Sequence, residues 1–386
     1  MANIAIYMLP ERGHLNPSFK IARTLKSHGH RVYYLQLPEF EEYIHSQELE
    51  FAPLFEKYFP IGYEFDYRLS TIENIVSRIR VEADAAGIDW REMLRRELIS
   101  KLERINAHLL VQDVYTYSGE SSSIIKTPRL LLNPTIVYPS HLRSPTLILC
   151  PEKFDYLRPD NTGHLHYVEP SVDLQRIDKK FEWNRVREDK QLIYCSLGTQ
   201  SHWSYGTASH DSNQRNRRAF LQSIINIMAD RPGSQLILSI GSNQSAQDFY
   251  SVPPNVHFVD GNSQLEILGR TSLAITHGGL NTIKESIIFG VPMIVFPLVG
   301  DQFKNADCVI HHQLGLRGDI ENSSEGLIHS LIGEIDSNPL YRAKVEIMKE
   351  EFRKADDDGR ATAIIENALI SRSDNFPPDS NIEAHD

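Results

Sequence analysis

The chain has 386 residues, 41% of them hydrophobic and 24% charged, which excludes a disordered or fibrous protein and, at about 100–200 residues per domain, predicts two globular domains. A formal net charge of −11 disfavours nucleic acid or an anionic membrane as the main partner, because both select basic patches. Three widely spaced cysteines, Cys150, Cys195 and Cys308, fit reduced thiols better than a disulfide framework or a zinc site, and no apolar run suits export or the roughly 18 residues of a membrane span, so a cytoplasmic protein without stable membrane insertion is expected.

In chain order, residues 3–9 read as a first strand. In the PERGHLNP segment that follows, Gly13 permits a turn, Asn16 offers a cap and Pro17 suits a first helical position, so a helix is expected over 18–27 and a second strand over 32–37. That order puts His14 in the loop beyond the first strand, at the carboxyl edge where α/β sheets bind ligands; the competing reading, a solvent-facing loop histidine, is real in a chain with 16 histidines. Residues 39–107 are helix-prone and expected to cover the first sheet. The aromatic cluster Phe51, Phe55, Tyr58, Phe59, Tyr63, Phe65 and Tyr67 reads first as core and second as an apolar acceptor pocket. A buried strand over 108–114 would bring Asp113 to the same edge as His14, and a carboxylate on a histidine fixes its tautomer and stabilises the imidazolium, as a general base requires. Another strand is expected over 130–133.

Between 150 and 190 prolines and charges replace the strand–helix rhythm, and the expected organisation is a first domain over 1–155, a linker over 156–190, a second domain over 191–370 and a disordered tail over 371–386. The second domain opens on a strand at 191–196 with a glycine turn at Gly198 and Thr199, then a polar loop over 201–217, a helix over 219–229 and strands over 236–240 and 256–259. Its densest stretch is LAITHGGLNTIKESIIFGVPMIVFPLVGDQ, which reads as strand, glycine turn, helix, strand. Gly278 and Gly279 let a ligand approach the backbone, the free amides and dipole of the following helix favour phosphate, and His277, Asn281 and Thr282 add side-chain donors. Glu285, one turn after Asn281, is placed to accept hydrogen bonds from sugar or ribose hydroxyls, and Asp301 and Gln302 are expected to end the next strand at the same edge. An ordinary glycine turn with a solvated helix is the alternative.

The segment HGGLNTIKESIIFGVPMIVFPLVGDQ resembles the C-terminal box of the family-1, nucleotide-sugar-dependent glycosyltransferases, which include plant natural-product glucosyltransferases, glucuronosyltransferases and bacterial macrolide glycosyltransferases. The GHLNP, SLGT and FVDGNSQLEIL segments extend the resemblance to both halves. It implies an α/β protein of GT-B fold, two Rossmann-like doubly wound domains facing across a cleft, the first binding acceptor and the second donor. By that resemblance His277, Gly279, Asn281 and Thr282 hold the diphosphate, flanked by Gly198 and Thr199, with Gly278 in the same donor-binding turn; Gln264 matches a donor-site glutamine; Glu285 takes ribose; Asp301 and Gln302 take the donor sugar. His14 becomes the general base and Asp113 its orienting carboxylate. The implied reaction is inverting transfer from a UDP- or dTDP-sugar to a hydroxyl of a small, lipophilic or natural-product acceptor, the nucleotide sugar being a co-substrate and no cofactor or metal being expected. Many members carry a base-stacking tryptophan three residues before the glutamine; Gly261 stands here, which leaves the base open between uridine and thymidine. A GT-B sugar-nucleotide epimerase, a non-catalytic sugar-nucleotide-binding auxiliary protein and a glycosyltransferase of membrane lipids are the alternatives, and the oligomeric state is left open.

Overall fold

The computed structural model describes all residues except 60, 62–68, 117–124, 139–143, 159–162, 199–209, 242–244, 260–262 and 371–386, and the side chains of 69–76 and 210–216 are likewise not described. Thr199, Gly261, Tyr63, Phe65, Tyr67 and the expected tail therefore lie outside the described residues.

Strand β1 (Asn3–Tyr7) leads into helix α1 (Arg12–Ser27), and β2 (Arg31–Gln36), helix α2 (Glu41–Ser46) and β3 (Glu50–Pro53) follow. Helices α3 (Leu69–Ala85) and α4 (Trp90–Arg104) precede β4 (Leu109–Asp113), β5 (Arg129–Asn133), β6 (Thr146–Ile148) and β7 (Leu165–Tyr167). Among the described residues these seven strands pair in parallel in the order β3-β2-β1-β4-β5-β6-β7. The order reverses at β1, the switch point beside which a ligand crevice forms. Strand β4, LLVQD, is buried along its whole length, the signature of a parallel strand covered on both faces.

The second sheet is built from β8 (Gln191–Ser196), helix α5 (His210–Ile227), β9 (Ser234–Ser239), β10 (Val256–Val259), helix α6 (Gln264–Leu268), β11 (Leu273–Thr276), helix α7 (Leu280–Ile288), β12 (Met293–Val295), helix α8 (Gln302–His311) and β13 (Gly315–Arg317). Its strands also run in parallel, in the order β10-β9-β8-β11-β12-β13, so the two doubly wound halves of the expected GT-B architecture are present. Helices α9 (Glu325–Ser337), α10 (Leu340–Asp358) and α11 (Arg360–Ile370) follow. Among the described residues no helix is long and apolar enough to cross a membrane.

Several expectations change. The helix expected at 18 begins at Arg12, because Glu11 is extended and its carbonyl already accepts from the Leu15 N–H, so GHLNP is helix rather than loop and Pro17 sits inside it. The expected strand end at Asp301 and Gln302 is the start of α8 instead, and the helix expected at 219 begins at His210. Strand β7 falls inside the expected linker and pairs with β6, so the first half reaches at least to Tyr167. The expected second domain also loses its end: Gly359, at φ +56, turns the chain after α10, and α11 buries Ala361, Ile365 and Ala368 in the core of the first half. That stripe of small and branched apolar residues finds its partner surface on the first half, where Glu366 also meets His28 and His30. Phe55 and Tyr58 of the aromatic cluster are buried in the same core.

Candidate functional site

His14 occupies the first turn of α1, beyond the end of β1, and Asp113 is the last residue of the neighbouring β4. The adjacency of β1 and β4 is what joins residues 99 positions apart: His14 Nδ1 lies 2.7 Å from Asp113 Oδ2. Asp113 is fully buried and His14 is 14% exposed. A carboxylate only accepts, so Nδ1 carries the proton and Nε2 is left as the basic nitrogen. The second carboxylate oxygen accepts from the Tyr115 N–H at 2.9 Å, and the Leu9 N–H bonds Oδ2 at 3.2 Å, so the carboxylate is fixed from several sides. Burial alone would depress the His14 imidazole; the hydrogen bond and charge of Asp113, with the charges of Glu11 and Asp301, outweigh it and hold it above 6.5. Tyr115 packs edge-on to the ring, with centroids 5.3 Å apart.

On the opposite wall, β11 ends at Thr276 and the chain turns through His277, Gly278 and Gly279 into α7. Gly278 has φ +89, and a Cβ there would lie 2.7 Å from Val295 Cγ1, so this turn admits no other residue without rearrangement. The first helical bond is Ile283 N–H to the Gly279 carbonyl, which leaves the amides of Leu280, Asn281 and Thr282 without partners in the helix. The His277 ring is wedged between two glycines: a Cβ on Gly198, itself at φ +81, would stand 2.4 Å from Cε1, and one on Gly279 2.7 Å from Nε2. Burial pushes this imidazole down to about 4, the nearby Arg217 charge adding to the effect, so it is a neutral hydrogen-bonding group.

The two walls enclose one cavity of about 390 Å³, which His14, Gly198, Gln264, His277, Gly279, Asn281, Thr282, Glu285, Asp301 and Gln302 all help to line. Asp113 stands behind His14, and Gly278 shapes the turn. Asn281, expected to face a diphosphate, instead donates its side-chain amide to the Gly13 carbonyl at 2.5 Å. The cause is Pro17: without an N–H it cannot satisfy the carbonyl four residues earlier in α1, and Asn281 does so from across the cleft. Gln302 turns its Oε1 to the Leu298 and Val299 amides, 2.8 and 3.1 Å away. Asp301, whose carboxyl is raised by burial, accepts from Asn305 Nδ2 at 2.9 Å. Glu285 is already engaged on both oxygens, by Arg176 at 2.8 Å and by Gln264 at 2.5 Å. Sequence reasoning missed Arg176, Tyr115 and Arg217. Arg176 lies in an aperiodic, charged stretch with no motif to mark it; Tyr115 sits two residues past Asp113, a spacing that gave the one available signal.

Residues 252–351 match the family model for UDP-glucoronosyl and UDP-glucosyl transferase. The chain is 22% identical to an uncharacterized UDP-glucosyltransferase, YojK, of Bacillus subtilis, over 97% of this chain and 99% of that one. It is also 22% identical to the oleandomycin glycosyltransferase of Streptomyces antibioticus, over 98% of this chain and 93% of that one. Among solved structures, spinosyn rhamnosyltransferase SpnG complexed with thymidine diphosphate superposes with a TM-score of 0.69 at 15% identity, over 95% of this chain and 99% of that one.

Proposed function

We propose that this chain, a family-1 glycosyltransferase of GT-B fold, moves a sugar from a UDP- or dTDP-linked donor to a hydroxyl of a small lipophilic or natural-product acceptor, with inversion at the anomeric carbon. The observation that carries this reading is the carboxylate-held His14 facing the His277 turn and the open amides of α7 across a single cavity. Both nucleotides have support: UDP-glucosyl transfer is in the description of the family model, and thymidine diphosphate is bound in the SpnG structure. A natural-product acceptor is supported by the oleandomycin relative.

In this reading the acceptor hydroxyl gives its proton to Nε2 of His14 as its oxygen attacks the anomeric carbon, and Asp113 stabilises the imidazolium that forms. The bond from that carbon to the phosphate oxygen breaks on the opposite face, and the electron pair leaves with the nucleoside diphosphate. Its charge meets the free amides and dipole of α7, with neutral His277 donating one hydrogen bond and Gly198 alongside; no metal is required. Thr282 borders the same phosphates, Glu285 takes the ribose hydroxyls, and Asp301 and Gln302 take the donor sugar. Mass spectrometry of products from a panel of UDP- and dTDP-sugars, incubated with phenols, polyketides or lipids, tests the proposal. A glycosylated acceptor is expected. An isomerised sugar nucleotide formed without acceptor would replace it with epimerisation, and donor binding without any product would replace it with an auxiliary role.

A further inference from the structure

The segment joining the two halves does more than connect them. Residues 176–179 line the cavity, and both halves hold them in place. On the first half, Gln47 accepts the Ile177 N–H at 3.0 Å and donates to its carbonyl at 3.1 Å, while Asp173 pairs with Arg23 at 3.1 Å. On the second half, Ser263 donates to the Lys179 carbonyl at 2.7 Å. From the middle of this strap Arg176 enters the site, its side chain only 7% exposed. Its Nε and one terminal nitrogen grip Asp178 Oδ1 and Oδ2 at 3.0 and 2.9 Å, and its other terminal nitrogen reaches Glu285 Oε1 at 2.8 Å.

A guanidinium held bidentately on one carboxylate has a fixed plane, and the remaining nitrogen then fixes the direction of the second carboxylate. Each carboxylate oxygen has about two acceptor sites. Arg176 occupies one on Oε1 and Gln264 one on Oε2, which leaves one acceptor on each oxygen at a group that lines the cavity. Two acceptors side by side suit the hydroxyls of a pentose.

Resting on the reading of Glu285 as the ribose acceptor, we propose that Arg176 is a positioning residue for the donor: from the strap between the halves it orients the Glu285 carboxylate toward the hydroxyls of the nucleoside sugar. The donor pocket, by this account, is completed by neither half alone. The strap that carries Arg176 is tied to Gln47 and Arg23 on one side and to Ser263 on the other, so the group that orients Glu285 is anchored on both halves.

The test is titration calorimetry of the full chain with UDP and 2′,3′-dideoxy-UDP, repeated with dTDP and its 3′-deoxy analogue. The wild type is expected to bind the hydroxylated nucleotides roughly tenfold or more tightly, the range for hydrogen bonds to a charged group. Arg176→Gln should reduce that discrimination to within about twofold, with KM for the donor sugar rising and kcat at saturation changing little, since ground-state and transition-state binding are lost together. Arg176→Lys should recover part of it, and Asp178→Asn, which keeps the guanidinium but frees its plane, should fall between. If Arg176→Gln does not fold, the Lys and Asn variants decide by the same ratio. Undiminished discrimination in the variants, or tighter binding once the guanidinium is gone, would overturn the proposal while leaving Glu285 as the ribose site. A wild type indifferent to the hydroxyls would overturn the ribose reading itself and Arg176's part with it.

Discussion

His14 and His277 stand on opposite walls of one cavity, each just beyond the carboxyl end of a central strand, and their surroundings drive them in opposite directions. His14 has a buried carboxylate at 2.7 Å, and that partner holds its imidazole above 6.5 against the pull of burial. His277 has no such partner among the described residues: two glycines wall in its ring, Arg217 adds positive charge nearby, and burial carries it down to about 4. The same side chain, placed beyond a different central strand in each of two similar sheets, is thus held more basic in one half and neutral in the other. The difference lies in the neighbours rather than in the histidine.

Four substitutions break or sharpen that contrast. The largest effect is expected from His14→Ala: roughly 10²–10⁴ lost from kcat with donor affinity nearly intact, because a general base acts only in the transition state. Near-normal turnover on a hydroxyl acceptor in that variant would assign the proton to another group. His277→Ala should instead lower donor affinity and turnover together, by roughly 10–100-fold, since the diphosphate charge is present in both ground and transition states; calorimetry with UDP or dTDP reads it, and unchanged binding would remove His277 from the phosphate site.

Asp113→Asn should cost less than His14→Ala and be visible in the pH profile. In the wild type the rate should rise with pH through an inflection above 6.5, as His14 loses its proton, and the variant should shift that inflection downward because burial then acts with less opposition. The stability contribution has the matching sign: with the folded value raised, the His14–Asp113 pair stabilises fully below about 6.5 and loses that contribution as pH rises through the folded value. An inflection that stays put in Asp113→Asn would separate the carboxylate from the base. The smallest effect belongs to Asn281→Ala, which removes one bond between the walls without touching either histidine; about 1 kcal/mol and a melting temperature lower by about 1–3 °C are expected. A large loss of turnover with unchanged melting would mean that Asn281 serves the ligand rather than Gly13.

The contrast was half visible in the residues. Continuous apolar strands, glycine turns and helix periodicity marked the two parallel sheets, and the position of Asp113 at a strand end was enough to pair it with His14. What local pattern could not supply was anything set by a distant partner. GHLNP reads as a loop because proline and glycine are poor inside helices, yet Asn281 on the other half satisfies the carbonyl that Pro17 leaves open. Leu165–Tyr167 is a three-residue strand without alternation, recognisable only beside β6. Arg176 sits in a stretch without periodicity, and nothing in its neighbours along the chain points to Glu285, 109 positions away.

The return of α11 to the first half has a consequence for how the molecule is made and remade. Ala361, Ile365 and Ala368 fill the core built around β1, β2 and β4, so that core stays uncovered on one side until α11 has left the ribosome. The half that is synthesised first is finished last. The same geometry governs recombination with a relative: an exchange at a single junction near residue 190 would pair one parent's sheet with the other parent's closing helix. A chimaera that keeps residues 360–370 with their own first half preserves the seam, including the bond from the Ala361 N–H to Glu169 at 2.9 Å and the pairing of Glu366 with His28 and His30. The unit of exchange in this fold is therefore discontinuous in sequence, made of the first sheet and α11 together.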